Sequence, residues 1–459
     1  MKRLFFHTLL FNITLALALC ANASAQEKHR HQAAAASSVV RVSAAGTDAS
    51  EPAVAASAAR DGGVFVVWVE HLTGGASDVW LARFDANGRR PSARPVRVNP
   101  KAGQATAWRG DPPTVAVSSD GRQVYVGWMM RVAGYSATTA DSAVFHLSAS
   151  PDGGRTFAPP VKVRDDRTPM PHGLHSLAVA EDGRVHVAWL DERGGTPPSH
   201  AAHGATAKTS GHHMEANRQV FTAYSTDGGR TFSPSHLVAR DACPCCKTSL
   251  VAGAGGRVYV SWRQVLAGDF RHIAVAASAD GGQKFNAPVI VSDDRWMING
   301  CPVSGASLAL KSDGVLGIAW YTAGEAGAAG IYRSESRDGG QTFAPRSSVA
   351  TGKAQGTPTL LTAAGHDAAL VVWESREKGT AHPASARIEG GDGGGASNAH
   401  ALAPRGELPS ATLAGDGRLF VAYVSKQGTR RTVQLLRASL GDAVSTSQAE
   451  LKRLRHASN

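Results

Sequence analysis

One phrase returns seven times along this chain and constrains its fold more than any other feature. An Asp-Gly or similar turn is followed by a short apolar run that ends in Trp or Tyr. It reads "DGGVFVVW" at 61–68, "DGRQVYVGW" at 120–128, "DGRVHVAW" at 182–189 and "GGRVYVSW" at 255–262. It returns as "DGVLGIAW" at 313–320, "HDAALVVW" at 366–373 and "DGRLFVAY" at 416–423. These runs have strand length and strand composition, and helical periodicity is nearly absent. The 459 residues would ordinarily suggest two or three domains. A unit repeated at this spacing points instead to one array of stacked sheets.

A second phrase follows four of the copies. It is "SPDGGRTF" (150–157), "STDGGRTF" (225–232), "SADGGQKF" (278–285) and "SRDGGQTF" (336–343). Such a stretch is a hairpin device. The carboxylates of Asp152, Asp227, Asp280 and Asp338 bond the loop's own N–H groups, glycines accept positive φ, and the aromatic packs beneath. With this pattern the chain resembles the sialidase (neuraminidase) superfamily of Asp-box, or BNR-repeat, proteins. The resemblance covers nearly all of residues 37–440. It implies an all-β fold, a β-propeller of four-stranded blades. Seven blades are favoured by the hairpin count, with six, the sialidase number, as the alternative. "SSVVRVS" (37–43) resembles "RPVRVNP" (94–100), which stands where a fourth strand is expected. The N-terminal segment is therefore expected to complete the last blade and close the ring, which removes a sheet edge.

Residues 1–25 read as a signal peptide, 26–36 as a linker and 441–459 as a polar tail. Lys2 and Arg3 precede an apolar run, and Ala23-Ser24-Ala25 fits a cleavage site. Leu19 is too bulky to make Cys20 a lipoprotein anchor. The expectation is an exported protein, periplasmic or secreted, monomeric and without a transmembrane segment. The formal charge of +11 falls by two when Lys2 and Arg3 leave. Its basic residues are scattered, which argues against nucleic acid and for a small anionic ligand, a glycan or a metal ion as partner.

Blade geometry sorts the loops. The links between blades and the ends of the second strands share one face, near the axis. "RDACPCCKTS" (240–249) and "DDRWMINGCPVSG" (293–305) are adjacent links there and hold Cys243, Cys245, Cys246 and Cys301. Exported thiols ordinarily pair. Cys301 would bridge to one of the triplet, and Cys243–Cys246 is a sterically acceptable second bridge. Thiolates and thioethers also select soft metals, and His172, His175, Met170 and Met297 map to the same face. A ligand- or metal-binding site is the favoured function, with copper the leading ion and zinc behind it. The Cys-x-x-Cys of "CPCC" lacks the helix start that activates thiol oxidoreductases. A low-complexity insert at 196–218 holds His200, His203, His212 and His213, and some tracts of this kind bind metals.

The family resemblance implies a different use of this face, as an exo-α-sialidase or related glycoside hydrolase. Sialidases clamp a carboxylate with three arginines and attack with a Tyr activated by a Glu. Candidates here are Arg131, Arg193, Arg263 and Arg376, with Tyr321 or Tyr423 and Glu192 or Glu374. The family's Arg-Ile-Pro motif is absent; Arg41 and Arg60 lie in other contexts.

Overall fold

The computed structural model describes residues 37–59, 62–90, 94–131, 143–165, 172–196, 217–298, 300, 302–362, 368–389 and 395–439. The proposed signal peptide, linker and tail, Cys20, Cys301, Met170 and most of the His-rich insert lie outside them. Among the described residues no helix is long and apolar enough to cross a membrane.

The described chain is strand throughout, arranged as four-stranded antiparallel meanders. The first strand, β1 (Ser38–Arg41), stands apart. After it come β2 (Asp48–Ala56), β3 (Val64–His71), β4 (Ser77–Phe84) and β5 (Val96–Arg97), then β6 (Thr114–Val117), β7 (Val124–Arg131), β8 (Ala143–Ser150) and β9 (Val161–Lys162). The next meanders are β10 (His172–Val179), β11 (Val185–Thr196), β12 (Asn217–Ser225) and β13 (His236–Ala242), and β14 (Ser249–Ala252), β15 (Val258–Leu266), β16 (Phe270–Ser278) and β17 (Val289–Ile290). These two form one eight-stranded sheet, but a single residue pair, Ala242 with Gln264, joins them. Then follow β18 (Ala306–Leu310), β19 (Leu316–Thr322), β20 (Gly330–Ser336) and β21 (Ser347–Thr351), and β22 (Ala354–Thr362), β23 (Ala369–Glu377), β24 (Thr380–Ile388) and β25 (His400–Ala401). Last come β26 (Glu407–Leu413), β27 (Leu419–Gln427) and β28 (Arg430–Ala438), completed by β1.

β1 is the fourth strand of that last sheet, with Val39 opposite Leu436 and Val40 opposite Leu435. The expected closure is therefore what the chain does. The N-terminal strand covers an edge that would otherwise expose a row of unpaired backbone groups. The seam carries its own core, in which Val42, Trp68 and Phe84 pack with Phe420 and Leu435.

The repeated aromatic explains the packing. Trp68, Trp128, Trp189, Trp262, Trp320 and Trp373 each sit on the second strand of a meander and are fully buried. Tyr423 holds the same place in the last one, at 3% exposure. Successive meanders share apolar clusters, for example Phe65 and Val67 with Val126 and Trp128, or Tyr259 and Val275 with Ile318 and Trp320. Both faces of each sheet are thereby covered, and burying an aromatic of this size contributes on the order of 1.5–3 kcal/mol.

All four Asp boxes close the turn between third and fourth strands, as the motif implies. The Asp227 carboxylate accepts from the N–H of Arg230 and Thr231 at 3.0 Å and from the Thr231 hydroxyl at 2.6 Å. The second glycine of each box lies against the preceding meander. A Cβ on Gly154 would meet Leu81 at 2.9 Å, and one on Gly229 would meet Leu147 at 2.8 Å. The boxes thus fasten neighbouring sheets as well as their own turns.

Candidate functional site

The inner strands approach the axis in a repeated irregular way. The pairing of β2 with β3, β22 with β23 and β26 with β27 each slips near its start. Glu51 and Leu408 take positive φ at these slips, and each precedes a proline, Pro52 and Pro409. Such bulges turn the chain and free its first residues from the ladder. Around them lies a cavity of about 980 Å³, lined by inner-strand and link residues from every meander.

Four charged side chains line it: Glu51, Arg109, Lys247 and Glu374. The two carboxylates are already engaged. Glu51 Oε2 lies 2.8 Å from His71 Nε2. Glu374 accepts from Gln355 at 2.8 Å, from Arg376 at 3.1 Å and from the Leu408 N–H at 2.9 Å. The two cations are less committed. Lys247 Nζ donates to the Pro112 carbonyl at 3.0 Å. Arg109 is half-exposed, and its nearest carboxylate oxygen, on Glu374, is 4.0 Å away. Burial pushes the Lys247 amine down to about 8, while Asp111 works to raise it. Trp296 and Tyr321 also line the cavity and meet edge to face at 5.7 Å.

Of the residues named for glycoside hydrolysis, only Tyr321 and Glu374 stand on this cavity. None of the four arginines lines it. Arg131 donates to the Gly75 carbonyl at 2.7 Å. Arg193 pairs with Asp165 at 3.1 Å and Asp191 at 3.2 Å, over the Phe221 ring. Glu192 accepts from Arg218 at 2.9 Å, and Arg376 holds Glu374. Arg263 is fully buried and donates to the Ser304 and Tyr321 carbonyls. Tyr423 is a core residue whose hydroxyl burial pushes strongly upward. A three-arginine clamp is therefore not assembled from these residues.

The metal set is likewise split. His175 is fully buried, 3.0 Å from Asp111, with its ring tilted against Phe145 at 4.3 Å between centroids. Met297 is 60% exposed. The backbone of His172 pairs with Asp191, and its side chain lies outside the described set. Cys243, Cys245 and Cys246 do converge, all buried, with their sulfurs within 4.8 Å of one another. Cys243 and Cys246 are free thiols that share a hydrogen bond at 3.5 Å. Cys245 is disulfide-bonded, so its partner is neither of them. The Cys246 hydrogen bond pushes the Cys243 thiol down, and burial pushes the Cys246 thiol up.

No protein-family model matches the sequence, and no curated protein is similar to it in sequence. Solved structures are similar in fold. One is a polysaccharide lyase described as an ulvan lyase of a new family, PL25. It shares 11% identity over 89% of this chain and 98% of its own, with a TM-score of 0.52. NanB with Optactamide shares 11% identity over 88% and 94%, with a TM-score of 0.50. The NanB sialidase of Streptococcus pneumoniae shares 11% over 83% and 84%, with a TM-score of 0.47. Identities this low speak for the fold alone, which is a sialidase-like β-propeller.

Proposed function

We propose that this chain is an exported, seven-bladed Asp-box propeller that binds a small anionic ligand, such as an acidic sugar, in its axial cavity. One observation carries the reading. The cavity's carboxylates are consumed by their own neighbours, while Lys247 and Arg109 have no carboxylate within hydrogen-bonding distance among the described residues. A wall with spare cations and spent acids favours an anion. Trp296 and Tyr321 supply apolar faces of the kind that orient a sugar ring.

Thermal-shift measurements with N-acetylneuraminate, glucuronate and their neutral counterparts test this. Binding to the folded chain raises Tm as ligand exceeds Kd. The acids are expected to stabilise and neutral sugars not to; equal shifts, or none with any acid, would contradict the proposal.

Hydrolysis of sialosides is the second reading, favoured only by Tyr321 and Glu374 sharing that wall. Turnover of a fluorogenic sialoside that disappears in Tyr321→Phe would support it. Of the proposed metal ligands among the described residues, Cys243 and Cys246 stay together as thiols, away from the cavity lining.

A further inference from the structure

We propose that Cys243 and Cys246 form a buried copper(I) site whose negative charge is balanced by Arg263. Two thiols lie 3.5 Å apart in full burial. The third sulfur, Cys245, is 3.9 Å from Cys243 but is spent in a disulfide and offers no thiolate. No His, Asp or Glu joins the group among the described residues. Structural zinc takes four ligands. A dithiolate of low coordination number suits copper(I), the softest of the common ions.

Charge around the pair points the same way. Arg271 Nη1 lies 3.2 Å from Cys243 Sγ, but Asp269 pairs with that guanidinium at 2.9 Å and cancels it. Among the described residues Arg263 has no such partner. It is fully buried, donates to the Ser304 and Tyr321 carbonyls, and lies over the Trp296 ring at 4.7 Å. Its Nη1 has no hydrogen-bond partner. It belongs to the same junction, since the Cys243 N–H donates to the Arg263 carbonyl at 2.7 Å. A buried guanidinium without a counter-ion is strongly disfavoured. Copper(I) on two thiolates carries one negative charge and compensates it, whereas a divalent ion on the same pair is neutral and does not. Formation releases the protons that the two sulfurs still hold and transfers no electrons when the metal arrives as copper(I).

This site is independent of the axial cavity, so either reading can fail alone. The test is anaerobic titration of the full exported chain with copper(I) against bicinchoninate, alongside alkylation and mass spectrometry without reductant. One copper(I) per chain is expected, with two alkylatable thiols in the metal-free protein. Cys243→Ser and Cys246→Ser should each weaken copper at least tenfold, and Cys245→Ser should retain it. Zinc should not be held. Three results would overturn the proposal: Cys243 and Cys246 joined to each other in the exported protein, two free thiols that bind no copper(I) because a lone thiolate balances Arg263, or copper retained by the double Ser variant. The alkylation count is made on the unsubstituted protein, so the test stands even if a variant misfolds.

Discussion

Asp280 differs from its three counterparts by one hydroxyl. Thr156, Thr231 and Thr342 each donate to their box carboxylate, at 2.7, 2.6 and 2.6 Å. At Asp280 the equivalent residue is Lys284, which contributes only its backbone N–H, at 3.0 Å. Lys284→Thr should restore the bond and raise stability by about 1 kcal/mol, read as a shift in the urea midpoint; no shift would mean the hydroxyl is merely decorative. His186 is the opposite case. It is buried against Tyr224, and desolvation pushes it down to about 4, with Arg184 adding to the effect. A base lowered on folding contributes stability fully present above its ordinary value of 6.5. That stability is lost as pH falls from 6.5 toward 4, at up to about 1.4 kcal/mol per pH unit. His186→Phe should therefore flatten the acid limb of stability, measured by unfolding at pH 7, 5.5 and 4.5; an unchanged slope would contradict this. Single residues were also where sequence reading failed. Arg263 follows Trp262 on β15, and alternation turns it to the other face of the sheet. In a ring of stacked sheets that face is covered too, by β19 and its neighbours. Period-two pattern cannot separate a solvent-facing Arg from one buried between blades, and Tyr423 misled for the same reason.

The strand that matters most for integrity is the shortest to describe. β1 pairs with β28, and Asp48 at the start of β2 receives Arg431 of β28 in a fork, at 2.9 and 2.6 Å. That hydrogen bonding holds the Asp48 carboxyl below its usual range. Removing residues 37–43 should uncover the β28 edge and strip Val42 from the seam. Loss of cooperative unfolding, or strand-exchanged dimers by light scattering, is the expected result; a monomer of unchanged Tm would refute closure as a stabilising element. This closure was legible because the N-terminal stretch copies a fourth-strand stretch. The inner strands were not. Their mark, in hindsight, is a proline at the slip in register or just before the strand, Pro52, Pro113, Pro358 and Pro409, each on the cavity wall. A proline suits a strand that faces the axis with no partner on one side.

At the scale of the molecule, the repeat gave a ring and the ring gave an axis, but not the residues that reach it. Lys247 follows the cysteines in "CPCCK", a link conspicuous for its thiols, and Arg109 lies in the stretch "WRGDPP" (108–113). Their importance depends on which carboxylates are already used, a fact that only three dimensions reveal. The cysteines, by contrast, were conspicuous in sequence, yet the split into one bridge and two thiols was not. The central claim is that an anion meets Lys247 and Arg109 at the axis. Isothermal titration of N-acetylneuraminate or glucuronate into the native chain and into a Lys247→Met, Arg109→Gln variant of unchanged Tm tests it most directly. The account predicts measurable binding that weakens in raised salt and drops at least tenfold in the variant. Equal affinity in both proteins would contradict it.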